Sequence, residues 1–239
     1  MTRRLVLIRH GQTDYNATRR MQGQLDTDLS ELGREQARLA GEQLGDLGIT
    51  RILSSDLSRA FDTATIIGEQ LGVDVEKDSR LRETHLGGWQ GKSSAEVDQE
   101  LPGARAKWRH DATWAPPGGE SRLDVADRAR PVIDELMDDY DEWDGNAVLI
   151  VAHGGTISAL TSNLLGLEAS MYPMLSGLKN TFRSQLTARP RYTPGSRDAL
   201  DDFQIRANSI NGAQKAPTPA FTPDTVGDAQ WYLDGWNMG

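Results

Sequence analysis

Four short apolar runs, LVLI at 5–8, RIL at 51–53, VDV at 73–75 and AVLIV at 147–151, alternate along the chain with longer stretches of helical periodicity. Runs this short suit strands, and their separation by helices predicts an α/β fold with a mostly parallel central sheet flanked by helices on both faces. The helical stretches are 30–47, with Ser30 or Asp28 as N-cap, 58–71 and 121–140, and another is expected after the HGG at 153–155. Pro131 falls inside the third, where its missing N–H predicts a kink or break. TFRSQLTAR at 181–189 and QWYLDGW at 230–236 read as late strands, and the Pro/Gly-rich excursion at about 190–228 reads as part of one domain spanning 1–239.

The strand at 5–8 runs into Arg9, His10 and Gly11, and VLIVAHGG at 148–155 repeats the pattern of an apolar strand ending in His-Gly. Ligands of open α/β sheets bind at the carboxyl ends of the strands, so His10 and His153 are expected to face one site. An isolated His-Gly is more often a satisfied structural histidine; the pair favours function. A third strand end, in ILSSDLSRAFDTA at 52–64, places Arg59 early in the next helix, where the N-terminus already favours anions. Arg9 and Arg59 would supply two planar, permanently charged forks suited to phosphate oxygens. In RLRETHLGGWQG at 80–91, Glu83 is either a surface glutamate paired with Arg80 or Arg82, or a general acid made easier to protonate by a neighbouring phosphate.

Composition narrows the partners. With 35 acidic against 26 basic residues, the net charge of -9 argues against a general nucleic-acid binder. The chain contains no cysteine, which removes disulfides and thiolate metal sites, and its start, MTRRL, has no signal-peptide pattern. A cytoplasmic protein without a membrane partner is expected. No metal or cofactor is expected either, because histidines stand only at 10, 85, 110 and 153, without a metal-binding H-x-x-x-H pair. GGWQGKSS at 87–94 ends like a phosphate-binding P-loop, but Leu86 occupies the place of its first glycine, which excludes that reading.

Arg9-His10-Gly11 with Thr13 and Asn16, Arg59 in SSDLSRAFDTA, Glu83 in RLRETHLGGWQG and His153 in VAHGG together resemble the histidine phosphatase (phosphoglycerate mutase-like) superfamily, from about residue 4 to about 166. Within it, RMQGQLDTDLSELGR, DATWAPPGGESR and the terminal WYLDGWN are similar to the actinobacterial glucosyl-3-phosphoglycerate phosphatases. The resemblance implies a phosphomonoester hydrolase working through a phosphohistidine on a small phosphorylated metabolite such as glucosyl-3-phosphoglycerate. By it His10 is the nucleophile, Arg9, Arg59 and His153 form the phosphate pocket, and Glu83 is the proton donor. Asn16 and Gln22 assist binding, with Thr13, Gly23 and Gly154 as further substrate contacts; His85 stands between substrate contact and packing. The resemblance also implies a homodimer. The alternatives are a phosphoglycerate mutase and a catalytically silent regulatory binder of the same fold. The segment at about 190–228 is longer than this group leads one to expect.

Overall fold

The computed structural model describes residues 2–175, 177–191, 221–222 and 225–239. Six strands form one sheet: β1 (Arg3–Arg9), β2 (Ile49–Ser54), β3 (Val75–Lys77), β4 (Ala147–Ala152), β5 (Arg183–Pro190) and β6 (Ala229–Met238). Their order is β3-β2-β4-β1-β5-β6; β1 to β4 pair in parallel, and β5 and β6 close one side antiparallel. The helices are α1 (Asp14–Ala17), α2 (Glu31–Leu44), α3 (Ser58–Leu71), α4 (Ser94–Glu100), α5 (Ala104–His110), α6 (Arg122–Asp139) and α7 (Gly154–Leu164).

Alternation along the strands builds a core on each side of the sheet. Val6 and Ile8 of β1, with Leu149 and Val151 of β4, pack against Ala40 and Leu44 of α2 and Ala60, Ala64 and Ile67 of α3. Leu5, Leu7, Val148 and Ile150 face the other way, onto Ile133 and Leu136 of α6 and Ile157 and Leu160 of α7. Each of these strand side chains is at most 1% exposed, so Leu7→Ala should cost about 2–5 kcal/mol through lost burial and the cavity left behind.

α6 runs without a break through Pro131, so of the kink or break expected from sequence the break does not occur. Pro131 lies on the exposed face, where water can serve the Asp127 carbonyl that loses its donor. The opposite face buries Val125, Ala126, Ala129, Val132, Ile133, Leu136 and Met137, enough to hold the helix together across the proline. The expected strand at 73–75 begins only at Val75: Gly72 takes the left-handed conformation that ends α3, and Val73 donates back to the Gly68 carbonyl, so the turn consumes 72–74. Ser30, not Asp28, caps α2, accepting from the Gly33 N–H at 3.1 Å. The G-K-S stretch does open a helix, but Lys92 there pairs with Glu100. Most of the expected excursion, 192–220, lies outside the described residues.

The topology also fixes where a ligand can enter. After β1 the chain leaves toward α2 on one face of the sheet, and after β4 toward α7 on the other. Adjacent parallel strands whose connections diverge open a crevice at their carboxyl ends.

Candidate active site

That crevice holds the two histidines. Arg9 of β1 is in register with Ala152 of β4, and the His10 N–H donates to the Ala152 carbonyl at 3.0 Å, so His10 and His153 leave neighbouring strands side by side. Their rings meet edge to face with centroids 5.1 Å apart, and both are buried. Gly11 permits the turn by close approach: a Cβ there would lie 2.3 Å from the Gly33 carbonyl oxygen at the start of α2.

His10 Nδ1 lies 2.7 Å from the Gly11 carbonyl, which can only accept, so the proton sits on Nδ1 and Nε2 keeps its lone pair. Arg59 confirms that assignment, donating from Nε to His10 Nε2 at 3.3 Å. Burial first, then the charges of Arg9 and Arg59, push the His10 imidazole well below its ordinary pKa, against the pull of the Gly11 carbonyl. His153 is shifted the same way by burial, Arg59, His10 and Arg9. Both rings are therefore neutral near pH 7, and the unprotonated nitrogen of His10, Nε2, accepts from Arg59.

The arginines are fixed by backbone carbonyls. Arg59 donates to Leu25 and Gly23 at 2.8 Å each, and Arg9 to Leu178 at 2.6 Å. Burial lowers the pKa of Arg59 to about 10 and also lowers that of Arg9, with the charge of Glu83 opposing both shifts. Both stay cationic at neutral pH. Arg9 Nε and His153 Nδ1 are buried polar atoms with no hydrogen-bond partner, places where an anion's oxygens would remove an energetic cost. The other nitrogen of His153, Nε2, lies 2.8 Å from the Ser55 hydroxyl.

Glu83 accepts from the Thr84 N–H at 2.7 Å and from the Gly155 N–H, in the first turn of α7, at 3.2 Å. Its own carbonyl is held by Gln24 Nε2 and Arg128 Nη2, both at 3.0 Å. Gly155 allows the contact, because a Cβ there would stand 2.4 Å from Glu83 Oε1. Asn16 Oδ1 accepts from the Thr13 N–H and from Asn180 Nδ2, which leaves the Asn16 amide nitrogen as a donor for the cleft. Gln22 Oε1 is likewise occupied by the hydroxyls of Thr13 and Thr27, at 3.0 and 2.5 Å.

Arg9, His10, Asn16, Gln22, Gly23, Arg59 and Glu83 line one cleft of about 170 Å³. A single water needs only about 10–15 Å³, so the space extends beyond a phosphoryl group. Four expected site residues lie outside the lining. Thr13 is fully buried and acts through Gln22; Gly154 packs beside the Arg9 side chain; His85 sits 3.1 Å from the Gly118 carbonyl. The fourth, His153, is fully buried with its ring against that of His10. The cleft gains Arg20, Thr84, Leu86, Trp108 and Gly155, which sequence reasoning did not select. Gly155 and Thr84 adjoin selected residues, Arg20 heads the RMQGQLDTDLSELGR motif without having been singled out in it, and Trp108 sits in the charged stretch KWRHD with no local signal. Among the described residues no group of three or more His, Cys, Asp or Glu side chains could hold a metal ion.

The family model of the histidine phosphatase superfamily (branch 1) matches residues 5–193, most of the chain and all of the residues above. The chain belongs to the histidine phosphatase superfamily. Among curated relatives of this histidine phosphatase, the glucosyl-3-phosphoglycerate phosphatase of Mycobacterium tuberculosis is 55% identical over 199 residues, covering 81% of this chain and 88% of that one. The protein of the same name from Mycolicibacterium vanbaalenii is 52% identical over 215 residues, 88% and 95% of the two chains. A Salmonella paratyphi B protein named "Probable phosphoglycerate mutase GpmB" is 38% identical over 170 residues, 69% and 76%. Among solved structures, a mycobacterial glucosyl-3-phosphoglycerate phosphatase in complex with VO3 superposes with a TM-score of 0.82 at 46% identity, over 99% of this chain and 100% of that one.

Proposed function

We propose that this histidine phosphatase hydrolyses glucosyl-3-phosphoglycerate, or a closely related small phosphorylated metabolite, through a phosphohistidine on His10. The observation that carries the reading is His10 itself: a neutral ring with its proton on Nδ1 and its Nε2 lone pair on the Arg59 guanidinium, in a cleft that Arg9 also lines. The substrate phosphate docks against Arg9, Arg59 and the unpartnered Nδ1 of His153. Nε2 attacks phosphorus in line, the bond from phosphorus to the ester oxygen breaks, and the Gly11 carbonyl steadies the positive charge the ring acquires. Glu83, held in the same cleft by the Thr84 and Gly155 N–H groups, acts as the general acid and gives a proton to the departing alkoxide. The resulting carboxylate takes a proton from water, which attacks phosphorus, breaks the N–P bond and releases phosphate.

The mutase alternative is the weaker one. Relatives named as glucosyl-3-phosphoglycerate phosphatases are 52–55% identical, against 38% for the mutase-named proteins. A silent binder would have no need of a nucleophilic nitrogen set beside a carboxyl group. The proposal takes the protein to act in the cytoplasm as a homodimer, with neither nucleic acid nor membrane as partner. The acidic net charge and the resemblance in its family motifs support this, and no helix among the described residues is long and apolar enough to cross a membrane. Steady-state phosphate release over a panel of phosphomonoesters tests the reading, with rapid quench to find the phosphorylated peptide. The proposal expects preference for glucosyl-3-phosphoglycerate and label on His10. Label on His153, activity in His10→Ala, or isomerisation of phosphoglycerate without phosphate release would each contradict it.

A further inference from the structure

Two residues of the cleft have no part in phosphoryl transfer as derived above. Trp108, on α5, is half-buried, and its ring stands edge to face on that of Trp89, centroids 5.9 Å apart and planes at 84°. Trp89 is 2% exposed and packs in turn on Trp114 at 5.7 Å, while the Arg122 guanidinium lies 5.7 Å over the Trp108 ring. The plane of the indole is thus set from two sides, and the surface it gives to the cleft is preorganised. Arg20, exposed, follows α1 on a segment tied down by hydrogen bonds from the Met21 N–H to the Lys92 carbonyl and from the Gly91 N–H to the Met21 carbonyl, both under 3 Å. Its Nη1 donates to the Gly91 carbonyl at 2.8 Å. Its carboxylate neighbour, Glu96, is 3.5 Å away with both side chains about half exposed, 45% and 52%, a geometry worth little. The guanidinium is available to a better partner.

We propose that Trp108 and Arg20 form the leaving-group subsite: the indole receives the sugar ring, and the guanidinium pairs with the carboxylate of the glycerate. The inference rests on the substrate reading of the preceding subsection. A hexose has a face of C–H groups whose partial positive charge suits the negative face of an aromatic ring, and stacking there excludes water from apolar surface on both partners. A glycerate carboxylate matches the planar fork of arginine and would form shorter, better aligned bonds than Glu96 does. Leu86, buried in the same lining, adds apolar surface. Recognition of sugar and acid is then carried by residues separate from those that hold the phosphate.

The alternative is that Trp108 merely completes the aromatic cluster beneath it, and the test must separate the two. Catalytic efficiency on glucosyl-3-phosphoglycerate is measured alongside inhibition by 3-phosphoglycerate, glycerol 3-phosphate and inorganic phosphate, for the wild type and for Trp108→Ala, Trp108→Phe and Arg20→Gln. Trp108→Ala should lose ~10-fold or more on the glucosyl substrate, mainly through KM, and Trp108→Phe less, with inhibition by inorganic phosphate unchanged in both. Arg20→Gln should weaken the glucosyl substrate and 3-phosphoglycerate by ~10-fold or more while leaving glycerol 3-phosphate, which has no carboxylate, as it was. Losses that extend equally to inorganic phosphate would show that the residues support the pocket and would overturn the inference, as would variants with wild-type efficiency. A wild type that hydrolyses other phosphomonoesters but not glucosyl-3-phosphoglycerate would remove the substrate reading itself, and the inference with it.

Discussion

The imidazole of His10 lies edge-on to that of His153, centroids 5.1 Å apart and planes at 60°, with both residues buried. Two imidazoles so placed, between two buried guanidinium groups, cannot both take up protons at ordinary pH without strong repulsion. On the proposed mechanism, the burial and the arginine charges that keep His10 neutral are those that would meet the phosphate.

That arrangement carries a stability signature. Both histidines have folded-state pKa values well below 6.5, whereas in the unfolded chain they protonate near that value. Below pH 6.5 the unfolded state therefore binds more protons, and stability, complete above that point, falls as pH drops toward the folded pKa values. Each histidine contributes up to about 1.4 kcal/mol per pH unit within its window. Asp56 and Glu76, held low by hydrogen bonds from Arg82 and Arg51, act only at lower pH, below their ordinary values of 3.8 and 4.5. Urea unfolding from pH 7.5 to about 5.5 should show the decline beginning near 6.5, with a shallower slope in His10→Ala. A profile flat across that interval would contradict the buried, neutral pair.

Arg59→Lys conserves charge and should still fail. Arginine here donates at once to Gly23, Leu25 and His10, three directions that a single ammonium cannot serve together. Catalytic efficiency should fall by ~10²–10³, as when a preorganised donor to a transferring group is lost. Stability should drop by about 1–3 kcal/mol, because a buried carbonyl is left without a partner. Near wild-type kinetics would show that a point charge suffices.

How much of this could be read from the chain itself depended on the range of the interaction. The parallel strands and the helices on both faces were legible because burial imposes local periodicity, and His10 and His153 because both stand at the end of such a strand. Arg59 was legible as a helix-entry cation, although its anchoring to Gly23 and Leu25 was not. Pro131 misled because its effect on α6 depends on which face meets water, a tertiary fact. The carboxyl group of Glu83 could not be placed from its loop, since the Gly155 N–H that holds it lies 72 residues away. Trp108, in the charged stretch KWRHD, read as solvated surface, and Arg20, although it heads a quoted motif, carried no mark of its role; only folding brings the two to one cleft.

Gly155→Ala perturbs the Glu83 contact without replacing Glu83. Alanine raises helix propensity by ~1 kcal/mol, so thermal stability should change little. Its Cβ would stand 2.4 Å from Glu83 Oε1 and 2.5 Å from Thr84 Oγ1, which must move. Turnover of an alkyl phosphate should fall while the melting temperature stays near that of the wild type. Undiminished turnover would show that the carboxyl group works from a position other than the one it occupies against α7.

The part played by Glu83 is best tested by varying how much the leaving group needs a proton. A sugar or glycerate alkoxide is strongly basic and leaves only when protonated, whereas p-nitrophenolate leaves unaided. General acid catalysis contributes about 10²–10⁴-fold, so Glu83→Gln, which keeps the shape but has no acidic proton, should lose a large share of that on an alkyl phosphate and much less on p-nitrophenyl phosphate. Glu83 accepts the Thr84 N–H on Oε1 and the Gly155 N–H on Oε2, so Gln keeps one of these bonds and loses the other; that loss is common to both substrates and cancels in their comparison. The comparison belongs to the first chemical step, because water attack on the phosphohistidine is common to both substrates and would equalise steady-state rates if it were slow. Single-turnover phosphorylation of His10, followed by rapid quench, gives the rates to compare. Equal losses on the two substrates in that step would show that Glu83 positions the substrate or supports its loop, and the proton donor would then be sought elsewhere, beginning with His85, whose ring sits 3.1 Å from the Gly118 carbonyl in the neighbouring turn.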